Sequence, residues 1–137
     1  MNIINFGGKL PTRKHPGDAG ADVYVLEKHV LLPHETACIG LGIGTEIPEG
    51  YVGFILPRSS MAKRGLVTQT VPIDSNYRGE IHAIITNYNS ENAKIEAGDR
   101  IAQLVVFPCL AEPMEMIEPA EASVTDRGAG AFGSTGR

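Results

Sequence analysis

The stretch Ile101-Ala-Gln-Leu-Val-Val-Phe107 is apolar at every position except Gln103. A strand with one solvated face alternates apolar and polar residues, so this run predicts a strand that is covered on both sides, by a second sheet or by another subunit. Shorter runs of the same kind recur along the chain, and 16 glycines and 9 prolines separate them at short intervals. Turn-forming residues at such short intervals are typical of a chain with many short strands. The sequence therefore predicts an all-β protein.

The expected strands occupy residues 3–6, 21–26, 30–32, 36–43, 51–56, 67–71, 80–87, 93–95, 101–107 and 114–117, with tight turns at 47–50 and 96–99. No window of ten or more residues shows a convincing helical period. One short helix is expected, with Ser59 or Ser60 as N-cap, Met61 to Arg64 as its body and Gly65 as its stop.

Composition limits the class of protein. The chain has 137 residues, 42% of them hydrophobic, which suits one domain with a real core. The net charge of -4 leaves no basic footprint for nucleic acid or for an anionic membrane. No apolar run approaches the length of a membrane span, and the first residues lack the pattern of a signal peptide. We expect a cytoplasmic protein, or one of the host cytosol if its source is viral.

The cysteines and histidines do not predict a metal site. Cys38 and Cys109 suit reduced thiols that are buried in strands better than a disulfide framework. Neither cysteine has a zinc-ligand partner at the usual spacing, and the four histidines are scattered. His82 alone follows the turn described next, and a satisfied or exposed strand histidine is its simplest role.

The turn Pro72-Ile-Asp-Ser-Asn-Tyr-Arg-Gly-Glu80 gathers a carboxylate, a ring and two further charges between two apolar runs. Asp74 follows apolar Ile73 where a strand enters the turn, so we expect partial exclusion of solvent and a role as base toward a water. Tyr77 would lie beside it. In the alternative interpretation Asp74 only satisfies local backbone groups and Tyr77 covers the sheet.

The segment Pro57-Arg-Ser-Ser60 offers a guanidinium and two hydroxyls at the start of the expected helix. Backbone N–H groups at a helix start favour an anion, and arginine binds phosphate well. A serine cap beside a solvated arginine is the alternative.

The last twenty residues break the strand pattern. Residues 125–137 contain four glycines and one large apolar side chain, Phe132, so they cannot form a core. We divide the chain into a β domain, residues 1–117, and a flexible C-terminal arm, residues 118–137. The composition of the arm is typical of a flexible linker. Arg127 and Phe132, however, are residue types that bind a phosphate and stack on a nucleotide base.

Five segments together resemble, in order, the five motifs of the trimeric deoxyuridine triphosphatases (dUTPases). They are Ala19-Gly-Ala-Asp22, Pro57-Arg-Ser-Ser60, Ile73-Asp-Ser-Asn-Tyr-Arg-Gly79, Gly98-Asp-Arg-Ile-Ala-Gln103 and Arg127-Gly-Ala-Gly-Ala-Phe-Gly-Ser-Thr-Gly136. The resemblance covers nearly the whole chain and implies a distorted β jelly roll, which agrees with the strand pattern.

This resemblance implies Mg²⁺-dependent hydrolysis of dUTP to dUMP and pyrophosphate by a homotrimer with shared active sites. Such an activity keeps uracil out of DNA and supplies dUMP for dTMP synthesis. By the same resemblance, Asp74 would activate the attacking water and Tyr77 would exclude a ribose 2′-hydroxyl. Asp22 would hold Mg²⁺ through water.

The remaining implied contacts are with the substrate. The phosphates would bind Arg58, Ser59, Ser60, Gln103 and, in the arm, Arg127. The arm would close with Phe132 on the uracil, beside Gly133 and Ser134.

Two departures from the family pattern concern the base. Motif III of the family usually has Gly-x-Ile-Asp, where this chain has Val71-Pro72-Ile73-Asp74, and the segment from Gly65 to Asp74 is shorter than the bacterial pattern. Pro72 also lacks an N–H that could bind the base. The expected base contacts are therefore a set of candidates: Thr68, Gln69, Thr70 and Ile73. Ala131 also replaces a glycine in the arm.

Two other functions stay open on the sequence. A dCTP deaminase, or a bifunctional relative, shares the jelly roll and the Arg-Ser-Ser motif. A regulatory protein that senses dUTP is the second alternative.

Overall fold

The computed structural model describes residues 1–131, and within them the fold is all-β, as predicted. One short helix, α1 (Ser59–Lys63), interrupts the strands, and a 3-10 turn, Pro119–Glu121, lies in the arm. No helix of residues 1–131 has the length and apolar character that a membrane crossing requires. The strands are β1 (Asn2–Asn5), β2 (Ala21–Tyr24), β3 (His29–Leu31), β4 (Thr36–Gly40), β5 (Ile43–Glu46), β6 (Tyr51–Pro57), β7 (Leu66–Thr68), β8 (Pro72–Ile73), β9 (His82–Asn87), β10 (Ala93–Ile95) and β11 (Arg100–Pro108).

The strands form four small antiparallel sheets in a distorted jelly roll. The largest has the order β2-β11-β6-β8, and a three-stranded sheet has the order β4-β9-β7. The pairs β1-β5 and β3-β10 complete the arrangement. Neighbours in each sheet are distant in sequence, so the chain crosses between the sheets repeatedly, as in a jelly roll.

The apolar stretch 101–107 forms most of β11, which pairs with β2 on one edge and with β6 on the other. Ile101, Ala102, Leu104 and Val105 are buried in the single chain. Burial of each large aliphatic side chain stabilises the fold by roughly 1.5–3 kcal/mol. The prediction of a covered strand is confirmed for these positions, whereas Phe107 at the far end is 43% exposed.

Two predicted strands differ in the structure: one is divided and the other ends early. Residues 36–43 form β4 and β5, because the chain turns at Gly42, whose carbonyl accepts the N–H groups of Phe6 and Gly8. Residues 67–71 end early at Thr68. The next strand, β8, begins at Pro72 and pairs only with β6 at the sheet edge, where a residue without an N–H is tolerated.

The predicted strand at 114–117 is wrong for the single chain. Met114 and Met116 are 100% and 101% exposed, and no strand of residues 1–131 pairs with this segment. Strand composition alone does not form a strand, because the backbone groups need a neighbour. The proposed division of the chain between residues 117 and 118 stays a prediction.

Two smaller expectations, the N-cap of the helix and the burial of the cysteines, also change. The helix lies where it was predicted, but its N-cap is Arg58, without a side-chain cap hydrogen bond, and Ser59 and Ser60 belong to the helix or its first turn. The helix ends at Lys63 with Arg64 as its C-cap, and the predicted stop residue, Gly65, follows directly, with its N–H donating to the Ala62 carbonyl at 2.9 Å. Cys38 and Cys109 are free thiols as predicted, but both are exposed and not buried.

Candidate functional site

Three distant parts of the sequence meet in one polar cleft of about 330 Å³, which we call the Asp22 cleft. They are the end of β6 with α1, the start of β2 and the middle of β11. The lining comprises Thr12, Lys14, His15, Asp18, Ala19, Gly20, Asp22, Arg58, Ser59, Ser60, Arg100 and Gln103. All five residues that the sequence assigned to phosphates and metal in this domain are therefore neighbours.

Asp22 is the centre of the charge arrangement in this cleft. Its Oδ1 is 2.7 Å from Arg58 Nε, and its Oδ2 is 3.2 Å from Arg100 Nη1. The Asp22 and Arg58 side chains are only 17% and 22% exposed, so solvent screens their ion pair weakly. A second guanidinium nitrogen of Arg58 donates to the Arg100 carbonyl at 2.9 Å. These contacts fix the direction of both arginines toward the cleft.

Gln103 reaches the same cleft from the centre of the largest sheet, where it pairs with Asp22 on β2 and with Leu56 on β6. Its Nε2 donates to the Pro57 carbonyl at 3.1 Å. A methyl group on Gly20 would collide with the Gln103 side-chain amide. The absence of a side chain at Gly20 therefore gives Gln103 its place.

Arg100 was missed as a site residue by the sequence reasoning. In a regular strand, residues three apart face opposite sides, which would place Arg100 and Gln103 on different faces. The register of β11 against β2 shifts between Arg100 and Ala102. A bulge of this kind redirects a side chain, and both residues line the Asp22 cleft. Arg100 belongs to the motif from Gly98 to Gln103, which served only to assign the family. The positive charge of Arg100 was the signal that could have identified it as a site residue.

Asp74 and Tyr77 lie in a second cleft, of about 220 Å³, which we call the Asp74 cleft. The Tyr77 N–H donates to the Asp74 carbonyl at 3.1 Å, and the Tyr77 hydroxyl donates to the Glu80 carbonyl at 2.9 Å. Gly79 allows this packing, since a Cβ there would collide with the Tyr77 ring. The other residues lining the cleft are Ile55, Val71, Pro72, Ile73, Ile81, His82 and Ile84.

The environment of Asp74 differs from the expectation. The residue is exposed in the single chain, so the predicted exclusion of solvent is wrong at this level of structure. Ile73 directs its side chain into the core on β8, while Asp74 is the first residue after that strand. The strand therefore ends too early to cover the carboxylate. His82 is exposed on β9, where its Nδ1 is 3.2 Å from the Glu80 carbonyl.

The polar residues proposed to contact the base lie beside the Asp74 cleft. Thr68 is buried on β7, and its hydroxyl finds no hydrogen-bond partner within residues 1–131. Gln69 donates its backbone N–H to the Ile84 carbonyl at 2.7 Å and its Nε2 to the Thr86 hydroxyl at 3.1 Å. Thr70 is exposed. Val71 and Pro72, which follow them, reach the lining of the cleft itself.

The arm is not brought to either cleft by the described residues. Arg127 is exposed, and its Nε donates to the Gly130 carbonyl at 3.0 Å, so this side chain closes a local turn. Phe132, Gly133 and Ser134 lie outside the described residues.

The donor set of the Asp22 cleft fits Mg²⁺ held through water. Residues 1–131 contain no group of three His, Cys, Asp or Glu side chains placed to enclose a metal. Mg²⁺ rarely needs such a group, because it keeps several waters and is bound by one or two carboxylates together with substrate phosphates. Asp22 supplies a carboxylate of this kind, although both of its oxygens are also paired with arginines.

Comparison with known proteins assigns the family. The family model for dUTPase matches residues 7–136. The chain belongs to the dUTPase family. Among its curated dUTPase relatives, the deoxyuridine 5'-triphosphate nucleotidohydrolase of Thermobifida fusca is 46% identical over 131 residues, which are 93% of this chain and 72% of the relative. The predicted family and enzyme class are confirmed.

Solved dUTPases also share the fold. The dUTPase of Staphylococcus bacteriophage 80alpha with dUPNHPP has a TM-score of 0.91 at 31% identity, covering 99% of this chain and 98% of that chain. A mutant dUTPase from phage phi11 of S. aureus has a TM-score of 0.79 at 29% identity, covering 85% of this chain and 95% of that chain. It is described as revealing how a structural Mg(II) ion is coordinated. The similarity to these structures confirms the jelly roll predicted for the present chain.

Proposed function

We propose that the protein hydrolyses dUTP to dUMP and pyrophosphate with Mg²⁺, in the cytoplasm or, for a viral chain, in the host cytosol. One observation carries this proposal: the residues of three dUTPase-like motifs, separate in sequence, line one cleft, with Asp22, Arg58 and Gln103 at its centre. Removal of dUTP keeps uracil out of DNA, and the product dUMP supplies the synthesis of dTMP.

Phosphate binding is assigned to the Asp22 cleft. Arg58 presents a guanidinium that matches phosphate geometry, and the two serines of α1 add hydroxyl donors. Gln103 places an amide at the same cleft. Arg58 and Gln103 are fixed by contacts within the protein, so they are oriented before charge develops on the phosphates.

Water activation is assigned to Asp74, which ends β8 at the mouth of the second cleft. The carboxylate accepts a proton from the attacking water as that water approaches a phosphorus atom. Tyr77 is held by its hydroxyl at Glu80, so its ring stays beside the sugar position. A ring packed there leaves a ribose 2′-hydroxyl without space or partner.

Mg²⁺ is assigned to Asp22, through bound water. When bound, the ion neutralises charge on the phosphates. The phi11 enzyme's Mg(II) ion and the oxygen donor of Asp22 support this assignment. The residue itself orients the two arginines in addition, so it contributes to the cleft with and without the ion.

Uracil recognition is assigned to the region between β7 and β8. Backbone groups there and the side chains Thr68, Gln69 and Thr70 lie next to the cleft lined by Ile73. Pro72 has no N–H to offer the base, so neighbouring groups must supply that donor. The unpartnered Thr68 hydroxyl is compatible with a bound partner in this region.

The arm, residues 118–137, is proposed to close over the bound nucleotide. Arg127 meets the terminal phosphate, Phe132 stacks on the base, and Gly133 and Ser134 accompany them. Closure requires the local Arg127 turn to open, since that side chain is bonded to Gly130 in the free chain.

The enzyme is proposed to be a homotrimer whose active sites are shared. Phosphate-binding residues and Asp74 line two different clefts of one chain, so a complete site needs complementary halves from neighbouring subunits. The fully exposed Met114 and Met116, in a segment of strand composition, also indicate a partner surface. A sedimentation mass of one subunit at micromolar concentration would contradict the trimer.

One assay separates the candidate functions. The protein is incubated with Mg²⁺ and, in turn, dUTP, dCTP, dTTP and UTP, and pyrophosphate and ammonia are followed separately. Pyrophosphate from dUTP alone supports the proposal, whereas ammonia from dCTP supports a deaminase. The family match favours the hydrolase. Phage dUTPases of the 80alpha type are described as controlling transfer of virulence genes, so binding of dUTP without turnover would favour a regulator.

A further inference from the structure

The loop from Arg13 to Ala19 forms one wall of the Asp22 cleft and carries two residues, Lys14 and His15, that the proposed reaction does not yet use. The loop is closed at its base by a two-bond bridge, in which the Thr12 and Asp22 N–H groups donate to each other's carbonyls at 3.1 and 2.8 Å. The bridge therefore holds the two ends of the loop together, and it does so at Asp22, the residue at the centre of the cleft.

The loop is also fixed internally. The Asp18 N–H donates to the His15 carbonyl at 3.2 Å, and the His15 N–H donates to Asp18 Oδ2 at 2.8 Å. Pro16 and Gly17 occupy the centre of this turn, an arrangement that tight turns favour. Arg13 Nε donates to the Asp18 carbonyl at 2.9 Å. A loop with these bonds holds Lys14 and His15 at the rim of the cleft before a ligand arrives.

The charges of the cleft show what Lys14 adds. The two guanidiniums of the lining, Arg58 and Arg100, both form ion pairs with Asp22. Asp18 adds a second carboxylate to the lining, so these four side chains together carry no net charge. Lys14 has no ion pair within residues 1–131 and is the remaining cation of the lining. The net positive charge of the cleft lining therefore comes from Lys14.

We propose that Lys14, with His15 beside it as a second N–H donor, binds the pyrophosphate end of the nucleotide and sets the preference for a triphosphate over shorter phosphate chains. An ammonium group suits this position because it is a mobile point charge with three donors, able to follow the phosphates as the bond to the α-phosphorus breaks. The proposal rests on the assignment of the phosphates to the Asp22 cleft.

The test uses binding of inorganic pyrophosphate, at one fixed Mg²⁺ concentration, measured by calorimetry on the full chain. Lys14→Gln should raise the Kd of pyrophosphate and the KM for dUTP by about 5- to 10-fold. This factor lies between the usual contribution of an exposed ion pair and that of a charge-assisted hydrogen bond. The Kd of dUMP and kcat should change less than about twofold, and Tm should stay the same. Lys14→Arg should restore most of the affinity. His15→Ala, which keeps the backbone bonds of the turn, should weaken pyrophosphate binding by about twofold or more.

Lys94→Gln is the matched control, since Lys94 is an exposed lysine on β10, does not line the cleft and has no ion pair in the described chain. Equal pyrophosphate affinity for the parent and Lys14→Gln would overturn the role of Lys14, and unchanged affinity in His15→Ala would overturn that of His15. Because this measurement needs no turnover, a parent that binds pyrophosphate through Lys14 yet leaves dUTP intact would contradict the proposed reaction alone.

Discussion

The Asp22 cleft and the Asp74 cleft are built in opposite ways. In the first, charged side chains fix one another: Asp22 joins Arg58 and Arg100 in a partly buried network. In the second, the carboxylate of Asp74 is exposed, and the backbone of a tight turn positions it among apolar residues. A phosphate-binding site must hold like-charged donors together, whereas a base must stay free to take a proton. With the roles proposed above, the difference teaches that one chain would preassemble the phosphate-binding half of the site and only present the reactive half.

The sharpest way to break this comparison is Asp74→Asn. An amide has nearly the same shape but cannot accept the proton of the water, and general-base assistance is typically worth about 10²- to 10⁴-fold. We expect kcat to fall by that factor while the Kd of dUMP and the thermal midpoint hardly change. Asp99→Asn is the control, because Asp99 serves a turn away from both clefts and an asparagine oxygen can still accept the Glu96 N–H. Near-normal hydrolysis by Asp74→Asn would remove Asp74 from the mechanism.

Removing residues 127–137 tests whether the C-terminal arm is needed, in addition to the two clefts, for a complete active site. Stacking on a base contributes about 1–3 kcal/mol and a charge-assisted phosphate bond about 1.5–3 kcal/mol. Their joint loss predicts a decrease of roughly 100-fold or more in kcat/KM. The truncated protein should remain a folded trimer that binds dUMP, as judged by sedimentation and calorimetry. Unchanged kcat would show that the arm is a linker, and failure to fold would show that it is a structural segment.

Tyr77→Ala sharpens the account of the Asp74 cleft. If the ring excludes the ribose 2′-hydroxyl, its removal should reduce the preference for dUTP over UTP by about 5- to 150-fold, equivalent to roughly 1–3 kcal/mol. The measurement is the ratio of the two kcat/KM values. Tyr77→Phe keeps the ring and loses only the hydroxyl bond to Glu80, so it should retain the preference. A preserved ratio in the alanine variant would assign sugar selection elsewhere.

The smallest effect is expected from Gly20→Ala in the Asp22 cleft. The added methyl group must displace the Gln103 amide, so KM for dUTP should rise by about 2- to 10-fold, the worth of one hydrogen bond. Gln103→Ala should have a similar effect, and the double variant should be no worse than the larger single change, because both act through one side chain. Additive effects would show that Gly20 matters for another reason.

Much of the fold was available from local sequence pattern. Apolar runs separated by glycine and proline located all or part of ten of the eleven strands that residues 1–131 form, since burial and turn chemistry act over a few residues. Pairing partners were beyond that pattern. The predicted strand at 114–117 has suitable residues but no pairing strand among residues 1–131. Residues 36–43 divide because distant N–H groups bond to the Gly42 carbonyl.

The sequence by itself determined the family, because the five motifs keep their order and chemistry, and it predicted most of the candidate site residues. Only the tertiary structure decided how these residues are grouped. Strand register brings Gln103 opposite Asp22, a bulge turns Arg100 to the same face, and the loop bridge adds Lys14 and His15 to the rim. Asp74 is left in a separate and exposed cleft. Such placements follow from hydrogen bonds between segments far apart in the chain, and no local pattern of residues encodes them.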